Sequence, residues 1–265
     1  MDGYRLVALD VDDTLLRNDL SIAQRTLDAI GAAKREGVVF CIATGRMYRA
    51  VKNLIRMGID GPSICFGGAQ IVDSEGKLVF QQGIKGALFQ EIVEFAHAEE
   101  AYLQAYDSHN FFFEQENQHS AFYEKLSGFP GVQTNFQHAE FDSPKLLIID
   151  TQERVEQLRT LAKKRFGSRL NISTSRPTFL EIVAPDVSKG GALERLARSM
   201  GIERERVVAI GDGRIDKSMI EYAGLGIAMG NALPEVKAVA DHITASNDED
   251  GVALAIERFI LNGAC

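Results

Sequence analysis

Near its start the chain reads Arg5-Leu-Val-Ala-Leu-Asp-Val-Asp-Asp-Thr-Leu-Leu16, and this stretch decides the fold. Its first half is a short run of apolar residues, which is typical of a strand buried in a parallel sheet. Three carboxylates, Asp10, Asp12 and Asp13, follow the run directly. Open α/β sheets bind their ligands at the carboxyl ends of their strands. The stretch therefore predicts an α/β protein with a functional site that begins at Asp10.

Carboxylates as crowded as these repel one another, and a folded protein tolerates them when a cation or a shared proton relieves the repulsion. In an extended segment Asp10 and Asp12 would point to the same side. One could attack a phosphorus atom while the other transfers protons. Mg²⁺, which prefers oxygen ligands, could hold a phosphate against Asp10. Taken alone, the stretch is equally compatible with an acidic turn in which Asp12 or Asp13 caps the next segment.

Composition bounds the possible functions. The chain has 265 residues, enough for one large domain or two, and a formal net charge of −8. That charge, without a basic stripe, argues against nucleic-acid binding. An anionic substrate would have to be attracted by a local positive site. We find no secretory segment and no run of about eighteen apolar residues, so we expect a cytoplasmic protein without membrane contact.

The three cysteines give no disulfide framework. Cys41 and Cys65 lie within apolar runs, and the third is Cys265. We expect buried, reduced thiols.

Strands and helices alternate up to about residue 83. A helix is expected from Ser21 to about Lys34, followed by strands at 38–43, 63–66 and 70–73. The alternation resumes with a helix that begins at Ser188. The later elements are strands at 207–210 and 225–229 and a helix near 248–261. This order predicts a doubly wound, Rossmann-like parallel sheet.

The middle of the chain differs in character, since it carries most of the aromatic residues and four of the five histidines. Its apolar patterns predict helices near 86–99, 117–127 and 152–165, and strands near 101–106, 110–114, 145–150 and 179–184. We therefore predict an α/β core made of residues 1–83 and 187–265, with an inserted α+β domain at 84–186.

Two polar residues follow the second strand. The hydroxyl of Thr44 and the backbone N–H of Gly45, at the start of a helix, could hold a phosphate oxygen. Taken alone, Thr44 is more simply interpreted as an ordinary helix cap.

Further charged residues occur where other elements begin or end. Asp212 follows the strand at 207–210, and Asp216 lies four residues later, so acids from two strand ends could converge on one cation. Lys189 begins a helix, where its charge opposes the helix dipole. An anionic partner would explain that position, although a solvated surface lysine is the ordinary alternative.

Taken together, these motifs resemble those of haloacid dehalogenase superfamily phosphatases of the Cof-type subfamily, which carry a large cap inserted after the third strand (class IIB-like). The matching motifs are, in order, Asp10-Val-Asp-Asp-Thr-Leu-Leu16, Ala43-Thr-Gly-Arg46, Ser188-Lys189-Gly190, and Gly211-Asp212-Gly213 with Asp216. The stretch Gly226-Ile-Ala-Met-Gly-Asn-Ala232 is also similar. The resemblance extends over essentially the whole chain.

The resemblance implies a mechanism. Asp10 would be the nucleophile that forms an aspartyl-phosphate, and Asp12 the general acid and base. Mg²⁺ would be held by Asp10, the backbone carbonyl of Asp12 and Asp212, with Asp216 in support. The family's dehalogenases and ATPases lack the second acid, which favours a phosphatase.

The resemblance also implies how a substrate is bound. Thr44, Gly45 and Lys189 would bind the phosphoryl group of a small phosphorylated metabolite, such as a sugar phosphate. The inserted cap would close over the site and read the substrate. Polar residues that interrupt its apolar segments are the candidates, although a structural or solvent-facing role is the more ordinary interpretation of each: His109, Asn110, Arg176 and Glu181.

Three residues depart from the family pattern, and all lie near the expected site. Asp13 stands where glycine is usual, Gly67 where asparagine is usual, and Ile215 where asparagine is expected before Asp216. Loss of one hydrogen bond to a charged group costs about 1.5–3 kcal/mol, so a weak or unusual phosphatase is expected.

Two other functions remain open. The alternatives are a catalytically weakened protein that binds a phosphorylated metabolite and acts in regulation and, with less support, a phosphomutase. The protein is expected to be a monomer or a homodimer.

Overall fold

The computed structural model describes residues 3–137 and 139–261, which fold as two compact units. The first unit is built within residues 1–80 and 188–265, and the second is formed by residues 81–187. The sequence predicted the inserted segment at 84–186. That each unit is a separate domain stays a prediction.

The first unit is built on an eight-stranded sheet in which Leu6–Leu9 is a central strand. In spatial order its strands are His242–Ile243, Leu225–Ala228, Val207–Gly211, Leu6–Leu9, Val39–Ala43, Ser63–Cys65, Gln70–Val72 and Leu78–Gln81. The first six run parallel, and Gln70–Val72 is antiparallel to its neighbour. Chain order reverses at Leu6–Leu9, which places a topological switch point there. The predicted α/β fold with a largely parallel core sheet is confirmed.

Helices cover the sheet, and all four residues of Leu6–Leu9 are fully buried, as their continuous apolar run predicts. Leu6 and Ala8 share one face, where they belong to the same buried cluster as Leu193 of a covering helix. The α-helices of this unit are Gln24–Arg35, Tyr48–Arg56, Lys189–Ser199, Lys217–Tyr222, Pro234–Lys237 and Gly251–Ile256. The last of these continues into a single wider turn, Glu257–Leu261.

Two helix starts in this unit were predicted wrongly. The first helix begins at Gln24 rather than at Ser21, whose hydroxyl donates to the carboxylate of Asp19 instead. The second helix begins at Tyr48, so Gly45 does not lie at a helix N-terminus. In both cases the residue before the helix has no side chain that caps it, so no sequence signal marks the boundary.

The helix predicted to begin at Ser188 is observed at Lys189–Ser199, with Ser188 as its cap. The Oγ of Ser188 accepts a hydrogen bond from the backbone N–H of Gly191 at 3.1 Å, which satisfies one of the free donors at the helix start.

Over its described residues, the second unit contains a six-stranded, mostly antiparallel sheet and three α-helices. In spatial order its strands are Asn171–Arg176, Phe179–Val183, Leu146–Ile149, Leu103–Tyr106, Phe111–Phe113 and Val132–Gln133, and its helices are Gly86–Ala98, Gln118–Ser127 and Gln152–Phe166. A separate two-stranded pairing joins Ile84–Lys85 to Asp142–Ser143. The predicted helices and strands all occur within a few residues of their expected bounds. The strand Asn171–Arg176 was missed because five of its six residues are exposed and it lacks an apolar run.

Cys41 and Cys65 are buried, free thiols, as expected. Burial raises the pKa of the Cys41 thiol to about 12, which keeps it protonated and unreactive. Cys265 lies outside the described residues. Among the helices that the structure describes, none combines the length and the apolar character needed to cross a membrane.

Candidate active site

Acidic side chains from two neighbouring strands meet at one edge of the core sheet. Leu6–Leu9 pairs in parallel with Val207–Gly211, with Leu9 opposite Ile210, so the next residues of both strands leave the sheet at the same edge. Carboxylate oxygens of three aspartates there lie within 4.8 Å of one another: Asp10, Asp212 and Asp216. The chain thus brings together acids that are about two hundred residues apart in sequence.

A buried lysine lies among these acids. The Nζ atom of Lys189 is 2.6 Å from Oδ1 of Asp10 and forms a second ion pair with Oδ1 of Asp216. The Lys189 side chain has no exposed surface. The solvated-surface alternative for this lysine is therefore wrong, and an anionic environment is what explains its place at a helix start.

Close backbone packing fixes the start of the Lys189 helix. Gly68 has φ +112°, and a Cβ atom added to it would lie only 2.2 Å from the carbonyl oxygen of Ser188. A Cβ atom on Gly190 would lie 2.3 Å from the carbonyl oxygen of Ser218. Both positions require glycine, and the close contacts that result hold Lys189 against the acids.

The electrostatics of the cluster favour a further positive charge. Burial raises the pKa of Asp10 well above its usual range, although the nearby Lys189 opposes this rise. Burial also raises the pKa of Asp212 to about 6; a hydrogen bond from Thr14 opposes this rise and the charges of Asp216 and Asp13 add to it. Burial alone would lower the pKa of Lys189, but the two carboxylates outweigh it and raise that pKa. Three carboxylates thus face one ammonium group.

Asp216 shapes the loop that carries Asp212. Its Oδ2 accepts backbone N–H groups from Asp212 at 3.1 Å and from Gly213 at 2.8 Å. The side chain is almost fully buried, and its Cβ lies 2.6 Å from where a Cβ on Gly211 would stand. One oxygen of Asp216 therefore orders the loop while the other contacts Lys189.

The segment after Asp10 does not continue the strand. Leu6–Leu9 ends, and Val11–Leu15 forms a single wide turn in which Asp12 is extended and Asp13 has φ +59°. The expectation that an extended segment continues through Asp12 is therefore wrong, while the placement of Asp10 and Asp12 on one side stays a prediction. Aspartate tolerates the left-handed conformation better than most residues, which explains how Asp13 can stand where the family has glycine.

Asp12 is half exposed and is held by an arginine. The guanidinium of Arg46 donates from Nε to Oδ2 of Asp12 at 2.9 Å and from Nη2 to Oδ1. Arg46 ends the motif Ala43-Thr-Gly-Arg46, from which no role was predicted for it. A cation directly after Thr44-Gly45 was the available signal, but the pairing depends on the turn geometry of Asp12.

Other side chains that sequence reasoning missed hold the same turn. Thr14 donates from Oγ1 to Oδ1 of Asp212 at 2.8 Å. Asn231 donates from Nδ2 to the carbonyl oxygen of Asp13 at 2.7 Å, and Asn247 donates from Nδ2 to that of Leu16 at 3.0 Å. The similarity of the stretch 226–232 to the family was the only signal for Asn231.

Thr44 follows the strand Val39–Ala43 and is fully buried. Its Oγ1 accepts the backbone N–H of Arg46 at 3.1 Å, and the next helix begins only at Tyr48. The simple helix-cap interpretation of Thr44 is therefore wrong. The hydroxyl remains able to donate a hydrogen bond.

The two remaining departures from the family pattern have different explanations. Gly67 has φ +66°, a conformation that glycine adopts freely and asparagine tolerates, so either residue suits the turn. Ile215 keeps 55% of its surface exposed, and its Cδ1 lies 3.6 Å from where a Cβ on Gly45 would stand. An apolar side chain thus borders the turn that follows Thr44.

The four substrate candidates all lie in the second unit. The backbone N–H groups of His109 and Asn110 donate to the carboxylate of Asp107, at 2.7 and 2.6 Å, within a turn. Arg176 is exposed, and its guanidinium lies 5.6 Å from the ring centroid of Phe179.

Glu181 forms an ion pair with the buried Lys145 at 3.1 Å and accepts a hydrogen bond from Ser175 at 2.9 Å. These partners all lie within the second unit, so the substrate-reading roles of the four candidates stay predictions.

Comparison with known proteins identifies the family. The sequence profile of the haloacid dehalogenase-like hydrolases matches residues 7–256. The chain is 32% identical to the 5-amino-6-(5-phospho-D-ribitylamino)uracil phosphatase YcsE of Bacillus subtilis, over 97% of this chain and 96% of that protein. It is 29% identical to phosphatase YwpJ of the same organism, over 97% and 100%. A solved structure of a haloacid dehalogenase-like hydrolase from Bacteroides thetaiotaomicron is 30% identical with a TM-score of 0.88, over 97% of this chain and 99% of that one.

The chain therefore belongs to the haloacid dehalogenase-like hydrolases, as the resemblance of its motifs predicted. Within that family it is an enzyme of the phosphatase type.

Proposed function

We propose that this protein is a Mg²⁺-dependent phosphatase that hydrolyses small phosphomonoesters through an aspartyl-phosphate on Asp10. One observation carries the proposal. Lys189 lies fully buried 2.6 Å from Asp10, in a cluster to which Asp212 and Asp216 add carboxylates from a second strand end. A structural core gains little from three clustered carboxylates, whereas phosphoryl transfer needs this kind of positioning and charge neutralisation.

The proposed reaction has two steps. In the first, a carboxylate oxygen of Asp10 forms a bond to phosphorus, the bond from phosphorus to the leaving oxygen breaks, and Asp12 gives its proton to that oxygen. In the second, Asp12 takes a proton from water, whose oxygen forms a bond to phosphorus. The bond from phosphorus to the Asp10 oxygen breaks, so inorganic phosphate leaves and the Asp10 carboxylate is regenerated. Asp12 suits proton transfer because it is half exposed, while the buried Asp10 is held by Lys189.

The donor set fits a hard divalent cation. All three clustered groups are carboxylates, and one ammonium group leaves their charge incompletely neutralised. Asp10, Asp212 and the backbone carbonyl of Asp12 would hold Mg²⁺, with Asp216 supporting the loop. When bound, the ion would neutralise negative charge on the phosphoryl group.

The phosphoryl group itself would be bound by three residues of the first unit. Lys189 would supply positive charge, and the hydroxyl of Thr44 and the backbone N–H of Gly45 would donate to phosphoryl oxygens. Since Lys189 contacts Asp10, it would also shield the nucleophile from the approaching anion.

The substrate would be a small phosphorylated metabolite. The name of the Bacillus subtilis relative describes a phosphatase for a phosphorylated ribityl compound with a uracil group, which supports a substrate of that size. The inserted segment, with candidates His109, Asn110, Arg176 and Glu181, would select among such esters.

The test is phosphate release from p-nitrophenyl phosphate with Mg²⁺ and with EDTA. The wild type should release phosphate only with the metal, and Asp10→Asn should reduce the rate to background. Asp28→Asn, which changes an exposed aspartate on a helix, is the matched control and should keep the wild-type rate. No metal-dependent release from the wild type would refute the proposal and favour a protein that only binds phosphorylated metabolites.

A further inference from the structure

One large apolar side chain lies exposed among the charged residues at the candidate site. Ile215 keeps 55% of its surface exposed, although it directly precedes the buried Asp216. Its Cδ1 lies 3.6 Å from where a Cβ on Gly45 would stand. Ile215 therefore lies beside the turn proposed to bind the phosphoryl group.

Both neighbours of Ile215 hold its short turn in place. Asp216 is fixed by its backbone hydrogen bonds to Asp212 and Gly213 and by Lys189. Arg214, on the other side, pairs with Glu235, with 2.6 Å between Nε and Oε1. The turn Arg214–Asp216 thus leaves the Ile215 side chain more than half exposed, beside Gly45.

We propose that Ile215 determines specificity by contacting the leaving group of the bound phosphomonoester, and that it favours a leaving group with an apolar or aromatic face. This inference rests on the proposed phosphatase function. With the phosphoryl group at Thr44 and Gly45, the leaving group would extend away from it, within reach of a side chain that lies beside Gly45.

The chemistry of isoleucine gives the preference its direction. The side chain has no hydrogen-bond donor or acceptor. A sugar hydroxyl packed against it therefore loses its hydrogen bonds to water and forms none in their place. An aromatic ring or alkyl chain gains by covering the exposed apolar surface. Asparagine, which the family pattern has at this position, would reverse both effects.

The experiment compares two substrates with Mg²⁺ present: 1-naphthyl phosphate, which has an aromatic leaving group, and glucose 6-phosphate, which has a polyhydroxy one. In Ile215→Asn the ratio of kcat/KM for naphthyl phosphate to that for glucose 6-phosphate should fall about tenfold. Ile215→Leu should keep the wild-type ratio. The matched control is Ile243→Asn, because Ile243 is 49% exposed on the edge strand of the same sheet and its change should leave the ratio unaltered.

The outcomes separate the inference from the function on which it rests. If the wild type hydrolyses either ester but Ile215→Asn keeps the ratio, or Ile243→Asn changes it equally, the inference is wrong and the phosphatase function stands. If the wild type hydrolyses only one ester, a lower kcat/KM of Ile215→Asn for naphthyl phosphate, or a higher one for glucose 6-phosphate, supports the inference. Any other result overturns it. If the wild type hydrolyses neither, the proposed function fails and the inference fails with it.

Discussion

Replacing Lys189 by methionine tests the charge balance of the site. The two side chains have similar length, so the change removes the charge with little change in packing. It leaves the carboxylates of Asp10 and Asp216 without the ammonium that contacts both. Removing one partner of a buried ion pair costs about 3–5 kcal/mol. Because one oxygen of Asp216 keeps its two backbone donors, the loss should fall mainly on Asp10.

The assay is thermal unfolding in EDTA at about pH 8 and about pH 5. At the higher pH, Lys189→Met should lower Tm by roughly 10 °C. At the lower pH the loss should shrink, because burial already raises the pKa of Asp10 and a protonated carboxyl needs no cation. Excess Mg²⁺ at the higher pH should restore part of the loss, since the ion can replace the missing charge.

The matched control is Lys145→Met, the same change at another buried lysine. Its carboxylate partner Glu181 is 24% exposed and can regain water, so the loss should be smaller. Mg²⁺ should not restore it. Equal stability of Lys189→Met and wild type in EDTA at high pH would show that Lys189 does not balance the charge of Asp10. Equal rescue of both variants by the metal would show the same.

Three further predictions concern the same part of the molecule. Burial raises the pKa of Asp212 from its ordinary value of 3.8 to about 6. Ionisation of Asp212 therefore destabilises the metal-free protein as the pH rises from 3.8 to about 6. Asp212→Asn should therefore raise the free energy of unfolding of the EDTA-treated protein by about 1–2 kcal/mol at neutral pH, after allowance for partial exposure, and by less near pH 4. Unfolding in urea at both pH values measures this difference. An equal increase in stability at both pH values would contradict the prediction. Gly68→Ala should lower the free energy of unfolding by several kcal/mol, because the added methyl group would lie 2.2 Å from a carbonyl oxygen. Gly37→Ala, also at positive φ but in open space, should lower it by about 1 kcal/mol. Similar decreases in Tm for the two variants would show that the contact at Gly68 relaxes. Arg46→Met should lower kcat by about tenfold with little change in KM, because Arg46 positions Asp12 rather than the substrate; a change confined to KM in steady-state kinetics would indicate substrate binding instead.

The sequence predicted the parts of the fold that depend on apolar runs. The central strand Leu6–Leu9 and its parallel neighbour Val207–Gly211 are continuous apolar segments, so their burial and pairing could be anticipated. Residues directly after such strands meet at one sheet edge, which is why Asp10 and Asp212 could be placed together.

Features set by local backbone geometry could not be predicted. The pairing of Asp12 with Arg46 depends on the wide turn Val11–Leu15, whose dihedral angles have no clear sequence signal when Asp13 replaces glycine. The helix at Tyr48 began later than expected, since the residue before it carries no capping side chain. The exposed strand Asn171–Arg176 lacks an apolar pattern altogether.

The central claim is that Asp10 forms a covalent bond to phosphorus, and direct detection of the phosphorylated residue tests it. The wild type is mixed with Mg²⁺ and p-nitrophenyl phosphate, quenched in acid within one turnover and digested for mass spectrometry. We expect one added phosphoryl group on Asp10 within the peptide that contains it, and none in Asp10→Asn. A phosphoryl group on any other residue, or undiminished phosphate release by Asp10→Asn, would contradict it.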